Sequence, residues 1–275
     1  MGAPIAYWAP GDDLARYVTG YHRYRAPMVP GGYRDAFFPS WAAIRISLNS
    51  DDDWSVRLGN RTFDPVPRDA FFGPSSSAGY ITTYGGSVVG VGLKPLGWAQ
   101  LFGGDIARYA NRVVALDELD AGGSTLRAAL EDGVAPPEAL ASWVAARLHR
   151  RPPADPRIET LTLLLDDPAT TRIEALAEAL DMTPRGLAAL TRFNFGFTPK
   201  LLLRRTRFMR ALSGVLTEPA RGSEVLDAAG YWDRSHFLRD SHLFLGCSVR
   251  DFQRRRGPLN QMALTARQGA LGSPV

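Results

Sequence analysis

Two stretches of this chain repeat one layout, and the duplication narrows the fold more than any other feature. The first, "TTRIEALAEALDMTPRGLAALTRFNFGFTPK", begins at Thr170; the second, "RGSEVLDAAGYWDRSHFLRDSHLFLGCS", begins at Arg221. In the first, Ile173, Leu176, Ala177 and Leu180 fall at i, i+3, i+4 and i+7, the apolar face of a short helix. Asp181 and Met182 turn the chain. Thr183 has the chemistry of an N-cap, Pro184 suits the first helical position, and Gly196 suits the helix end. In the second, Val225, Leu226 and Ala229 form the short face, Gly230 and Tyr231 turn the chain, and Asp233 caps a helix that stops near Gly246. Arg185 and Arg234 lie 49 residues apart, and a long helix, "TPKLLLRRTRFMRALSGVL", joins the halves. Short helix, tight turn, capped helix, closing glycine: the chain holds two helix-turn-helix units.

A capped helix start presents unpaired N–H groups and a partial positive charge to a phosphate, while its first exposed side chains reach base edges. In the second unit those side chains are Arg234, Ser235, His236 and, one turn on, Arg239. Arginine is the side chain best suited to a bidentate pair with guanine. In the first unit Thr183, Arg185 and Arg192 stand on or beside the capped helix, and Lys200 and Arg204 lie on the joining helix. His236 is open between a DNA or cap contact and a structural hydrogen bond. The charge distribution points the same way. The net charge of +4 divides into −3 for residues 1–167, +6 for 168–257 and +1 for the remainder. A basic block on a mildly acidic partner is what a polyanion-binding domain looks like.

The block Thr170–Arg256 resembles the DNA-binding domain of the AraC/XylS family of bacterial transcription regulators. "LAEALDMTPRGL", "FGFTPKLLLRRTRFMRAL", "AAGYWDRSHFLRD" and "FLGCSVRDFQRRR" carry the resemblance. It implies two helix-turn-helix units on one rigid linker helix, each offering its second helix to successive major-groove segments on one face of DNA. The sequence departs from the family pattern at Ala188 and Ala189, where polar or cationic residues are usual. Thr191 and Ser241 stand where the family has a core Phe, with Phe193 and Phe244 as candidate replacements.

Residues 1–120 have a different grammar, with short apolar runs such as "AAIRISL" and "SVVGVGL" set between turn clusters such as "NSDDD" and "FGPSSSAGY". Ile44, Ile46 and Leu48 alternate with Ala43, Arg45 and Ser47, as in a strand with one face on a core. Several such strands imply a small sandwich or barrel. The segment 89–119 resembles the N-terminal domain of one branch of the same family, a cupin-like module. The expected fold class is therefore α+β: a β-rich cupin-like domain over 1–120, then an all-α double helix-turn-helix domain over 170–257. A helical connector (121–169) joins them, and a flexible tail (258–275) follows.

Residue chemistry narrows the function. His22 is the sole histidine before His149, which excludes a histidine-rich metal site in the N-terminal domain. No nucleophile has a matching base and orienting partner, and "YGGS" and "FGGD" read as turns, so we expect neither an enzyme nor a cofactor. Cys247, the single cysteine, reads as a small residue past a helix end. No run approaches the roughly 20 apolar residues that span a bilayer, and no signal peptide opens the chain; the expected location is cytoplasmic. For a small-molecule effector the candidate contacts are Trp41, Arg45, Tyr80, Tyr84 and Trp98, with Lys94 beside them; Arg45 stands out on an otherwise apolar strand. The expected partners are double-stranded DNA, an effector, a second copy of the chain and RNA polymerase. The rival reading is a ligand-binding or protein-interaction module whose DNA affinity is unspecific.

Overall fold

β4 (Ala43–Leu48) shows how the N-terminal half is built. Ile44 and Ile46 are wholly buried on one face, while Arg45 points the other way. The structure, a computed structural model, describes residues 4–26, 32–48, 54–119, 123–218, 221–255 and 257–271. The turn cluster at 49–53 and Arg256 lie outside the described residues. Around β4 an antiparallel sheet of six strands has the order β1-β2-β9-β4-β7-β10. Its other strands are β1 (Ile5–Trp8), β2 (Val18–Ala26), β7 (Asp69–Phe72), β9 (Gly86–Leu93) and β10 (Val113–Ala115). A second sheet, ordered β3-β8-β5-β6, consists of β3 (Tyr33–Phe37), β8 (Gly79–Thr83), β5 (Ser55–Leu58) and β6 (Arg61–Phe63).

The Ile44 face of the large sheet is covered by three helices, α1 (Pro95–Leu101), α2 (Gly123–Glu131) and α3 (Pro136–Leu148). Leu126, Leu140, Trp143 and Val144 pack there against Ile44, Phe71, Val89 and Val91. The connector therefore has no independent existence. Its first two helices finish the β domain, and its third, α4 (Arg157–Asp166), joins the core that follows.

α4, α5 (Ile173–Ala179), α6 (Pro184–Phe195) and the start of α7 (Pro199–Thr217) enclose one core of Ile158, Leu161, Leu165, Leu176, Leu187 and Leu202. The far end of α7 packs with α8 (Gly222–Ala228), α9 (Arg234–Leu245) and α10 (Val249–Arg255) around Phe208, Leu212, Phe244 and Phe252. Phe244 stacks on Phe208 at 5.1 Å, filling the second unit as expected. In the first unit Phe193 is 48% exposed, and Phe195 is the buried ring instead. Thr191 and Ser241, at the positions of the missing rings, are fully buried. Each hydroxyl finds a carbonyl: Ala188 at 3.1 Å and Cys247 at 2.7 Å.

The tail is a correction. Residues 258–271, expected to fray, form α11 (Pro258–Leu271), which returns to lie on β1 and β3. Leu259 is buried with Ile5 and Ala26, and Ala263 and Ala266 pack beside Tyr7 and Tyr24. The helix has an apolar stripe that the adjacent strands leave room to bury, which composition alone does not reveal.

Candidate nucleic-acid interface and effector cavity

α6 and α9 begin alike. Thr183 Oγ1 accepts from the Gly186 N–H at 3.1 Å, and an Asp233 carboxylate oxygen accepts from the His236 N–H at 2.6 Å. Both helices end on a left-handed glycine, Gly196 at φ 84° and Gly246 at φ 75°. The matching caps, Thr183 and Asp233, lie 50 residues apart, one more than the spacing between the two arginines. This register pairs Arg239 of α9 with Ala189 of α6, and His242 with Arg192.

Each helix leaves one face open. On α6 it carries Arg185, Ala189, Arg192 and Phe193; on α9 it carries Arg234, Ser235, Leu238, Arg239 and His242. Lys200 is exposed in the first turn of α7. Trp232, just before the α9 cap, is 93% exposed, a residue that sequence reasoning passed over although it stands in "GYWD".

Two expected DNA contacts are engaged elsewhere. Asp240 is wholly buried on α9; it accepts from the Tyr231 hydroxyl at 2.7 Å, Arg204 at 2.6 Å and Arg207 at 3.2 Å. His236 is half-buried, hydrogen-bonded to Arg207 at 3.1 Å and packed edge-on against Tyr231. Arg204 and His236 thus fasten α9 to α7, because a buried carboxylate needs cations and the facing helix supplies them. Burial, then the hydrogen bond to Asp240, pushes the Tyr231 phenol well above its usual pKa.

Arg205, the next residue on α7, faces the N-terminal domain. It is 4% exposed, stacks on the Trp41 ring at 4.0 Å and donates to the Ser75 carbonyl at 2.9 Å. Burial pushes its pKa down to about 10. Trp41 also meets Phe195 edge-on, so one indole touches both the linker helix and the first recognition helix. The second unit is tied as well, by Ala78 N–H to the Phe244 carbonyl at 2.6 Å and Tyr80 hydroxyl to the Leu245 carbonyl at 2.6 Å.

Between the two sheets, α7 and α11 lies a cavity of about 270 Å³. Cross-strand register builds its floor: Tyr7 pairs with His22, His22 with Gly90, and Gly90 with Arg45, one row across four strands. A side chain at position 90 would strike His22 Nε2 at 2.6 Å and the Ile44 carbonyl at 2.4 Å, so only glycine lets His22 and Arg45 share this row. Tyr24 lies on the same face, hydrogen-bonded through its hydroxyl to that of Tyr7. Arg45 is held between the rings of Phe72 at 4.3 Å and Phe37 at 4.8 Å. Arg45 lines the cavity, on the pocket side of the choice that the sequence left open.

Arg267 enters the same space from α11. The Nε atoms of Arg45 and Arg267 and the Nε2 of His22 are buried without a hydrogen-bond partner. Among the described residues no carboxylate pairs with either guanidinium. Of the two acids that border the cavity, Asp35 accepts from backbone N–H groups and Asp166 lies near Arg205. Burial lowers the pKa of Arg45, the Tyr24 and Tyr7 phenols opposing the shift. Burial, reinforced by Arg45 and Arg267, holds His22 neutral, far below its ordinary range.

Of the expected effector contacts, Trp41 and Arg45 line this cavity. Tyr80 is spent on the domain contact, Tyr84 is 48% exposed, and Trp98 is core on the opposite face of the sheet, 2% exposed. Lys94 precedes α1 and does not line the cavity, though its charge acts on Asp166 at the cavity's edge. Among the described residues no cluster of His, Cys, Asp or Glu is arranged to hold a metal, and no helix is long and apolar enough to cross a membrane.

A β-rich region followed by two capped recognition helices on one linker helix defines a DNA-binding protein of the double helix-turn-helix class. Residues 176–255 match a family model described as "Helix-turn-helix domain", and they form an AraC-type helix-turn-helix domain. That domain supports reading the chain as a DNA-binding transcription regulator. No curated protein sequence matches it. Among solved structures, ToxT from Vibrio cholerae is similar at 9% identity and TM-score 0.49, over 86% of this chain and 98% of that one. An apo ToxT variant from strain SCE256 gives 10% identity over the same shares, again at TM-score 0.49. The AraC-like transcriptional activator CuxR aligns at 13% identity and TM-score 0.21, over 74% of each chain.

Proposed function

We propose that this regulator binds DNA sequence-specifically through α6 and α9 and is controlled by a small organic anion held in the N-terminal cavity. On the DNA side, Arg185, Arg192, Lys200, Arg234, Ser235 and Arg239 all stand exposed on or beside the two capped helices, supporting two adjacent major-groove contacts. α7, with 19 residues, is about 28 Å long, close to one turn of DNA, so one straight strut sets the separation of the units. Trp232, exposed beside the α9 cap, is a further candidate for contact with the DNA backbone.

The observation that carries effector control is Arg45, half-buried between aromatic rings with its Nε buried and unpartnered, in a cavity that α7 also borders. A half-buried guanidinium with no counter-charge is disfavoured, and an anion is what relieves it. The aromatic walls select an anion with an apolar body.

The test is an operator-binding titration over salt, with and without candidate organic acids, for wild type and Arg45→Ala. Specific binding persists at physiological ionic strength, where unspecific binding fades. A ligand response in wild type that the variant lacks supports the reading. Equal responses remove Arg45 from the site, and binding with no sequence preference favours the rival, unspecific module. Varying the protein concentration in the same titration reads dimer formation, and transcription with added RNA polymerase reads activation against repression.

A further inference from the structure

We infer that Trp232 anchors the second helix-turn-helix unit on the sugar–phosphate backbone of DNA, a role that the helix start itself performs in the first unit. This rests on the reading that α6 and α9 bind DNA, and it gives the backbone contact of α9 to one neutral residue.

The two turns differ by a single residue. Up to the turn the units match at a spacing of 49: Asp181 and Gly230 both take positive φ, at 50° and 75°. The Met182 N–H donates to the Ala177 carbonyl and the Tyr231 N–H to the Leu226 carbonyl, each at 2.9 Å. Met182 and Tyr231 then pack inward, each on the core of its own unit. From the caps onward the spacing is 50, Thr183 matching Asp233 and Gly196 matching Gly246. In the first unit the cap follows Met182 directly; in the second, Trp232 is interposed between Tyr231 and Asp233. The added residue has no counterpart in the first unit and no packing role in its own. It is 93% exposed, while Tyr231 beside it is 2% exposed. Among the described residues its indole has no hydrogen-bond or ring partner.

The caps differ in charge at the matching place. Thr183 is neutral, so the first N–H groups of α6 and their partial positive charge are open to a phosphate. α9 is capped by a carboxylate, with an Asp233 oxygen accepting from the His236 N–H at 2.6 Å. A formal negative charge there repels the phosphate that the helix start attracts. The backbone contact of the second unit falls to a neighbouring group with a donor and no negative charge. Trp232 meets both conditions. Its Nε1–H donates and does not accept, and its flat apolar body suits a deoxyribose beside the phosphate. Arg234, exposed on the other side of the cap, is left for base edges.

The experiment measures binding of the full chain to two duplexes of equal length over a range of salt. One carries a site selected from random DNA, the other a mixed sequence. Trp232→Ala should match wild type in thermal unfolding, since the side chain is not packed. It should weaken binding about five- to tenfold on both duplexes alike, because a backbone contact carries no sequence information. Trp232→Phe keeps a ring, loses the N–H and falls between. The slope of log affinity against log salt should stay that of wild type, whereas loss of a cationic phosphate contact flattens it by about 0.9. Acrylamide quenching gives a second readout, because the other five tryptophans are buried or half-buried. DNA should shield a quenchable fraction in wild type that Trp232→Phe lacks. Full affinity of Trp232→Ala for both duplexes, a loss confined to the selected site, or a flattened salt slope overturns the inference. So does an indole that stays open to quencher on DNA and is covered instead by RNA polymerase. Wild type with no affinity for either duplex is a different failure, overturning the DNA-binding reading itself.

Discussion

Replacing Asp240 by alanine tests the assignment of Arg204 to structure rather than to DNA. The carboxylate is wholly buried and accepts from Tyr231, Arg204 and Arg207; without it, one phenol and two guanidiniums lose their acceptor. Removing one partner of a buried ion pair costs about 3–5 kcal/mol. Arg204 and Arg207 keep 38% and 30% of their side-chain surface, so water takes over part of the loss, and about 2–4 kcal/mol remains. At roughly 2–4 °C per kcal/mol, the melting temperature falls by about 10 °C. Asp240→Asn, which keeps an acceptor for Tyr231, falls about half as far. Asp227→Ala, on the exposed side of α8, is the control and stays within about 0.5 kcal/mol. Thermal unfolding followed by circular dichroism reads all three. A drop for Asp240→Ala no larger than the Asp227→Ala control would refute the reasoning and return Arg204 to the list of free DNA contacts. Arg204→Ala then sharpens the distinction, because a structural residue weakens all operators equally while a base reader weakens one sequence.

Because α4 shares the core of the first unit, the fragment that folds alone is expected to begin at Arg157, ahead of the Thr170 boundary read from the sequence. Ile158, Leu161 and Leu165 bury the α4 side of the first unit, and losing them forfeits about 5–9 kcal/mol of burial. A 157–257 fragment is expected to fold and bind DNA at low salt, with 170–257 unfolded in the same urea titration; equal stability of the two refutes this. Selection from random DNA should return one sharp and one diffuse half-site, because Arg239 occupies the repeat position that Ala189 holds in the first unit. Arg234→Ala and Arg239→Ala should each cost about 1–3 kcal/mol and relax preference at defined base pairs; two equally sharp half-sites contradict the prediction. His22, held neutral in the folded chain, makes stability fall on acidification. Below about pH 6.5 the unfolded chain takes up a proton that the folded one refuses, which costs about 1.4 kcal/mol per pH unit. His22→Gln should flatten that slope between about pH 6.5 and pH 5.5 in urea unfolding; parallel slopes for variant and wild type remove His22 as the cause.

The helix-turn-helix units were legible because their boundaries are local chemistry. Thr183 and Asp233 cap, and Gly196 and Gly246 stop, through bonds to residues three or four positions away. The cavity was not legible. Tyr7, His22 and Arg45 come from three strands, and only the hydrogen-bond register sets them in one row with Gly90. Two residues inside "VTGYHRYRA" did carry a signal, since His22 and Tyr24 alternate onto one face of the strand. Arg204 and Arg205 show the limit from the other side. They are adjacent in sequence and both cationic, yet a step of about 100° around α7 sends one to Asp240 and the other to Trp41. Composition records that a helix is basic; only its packed neighbours decide which cations stay free.

The burial of Arg205 under Trp41 bears on how far such a chain can be taken apart and reassembled. The guanidinium satisfies a carbonyl and an indole that belong to the β domain, and Gly196, at the end of α6, lies where a Cβ would come within 2.9 Å of Pro74. The two halves have thus been shaped to each other and do not behave as interchangeable parts. A hybrid that grafts residues 157–257 onto a foreign sensor strands Arg205 against a surface with no Ser75 carbonyl and no Trp41 ring. Transplants that carry residues 39–41 and 74–76 along with the helices keep their mates, and those are the junctions at which engineered sensor swaps of this chain should be cut.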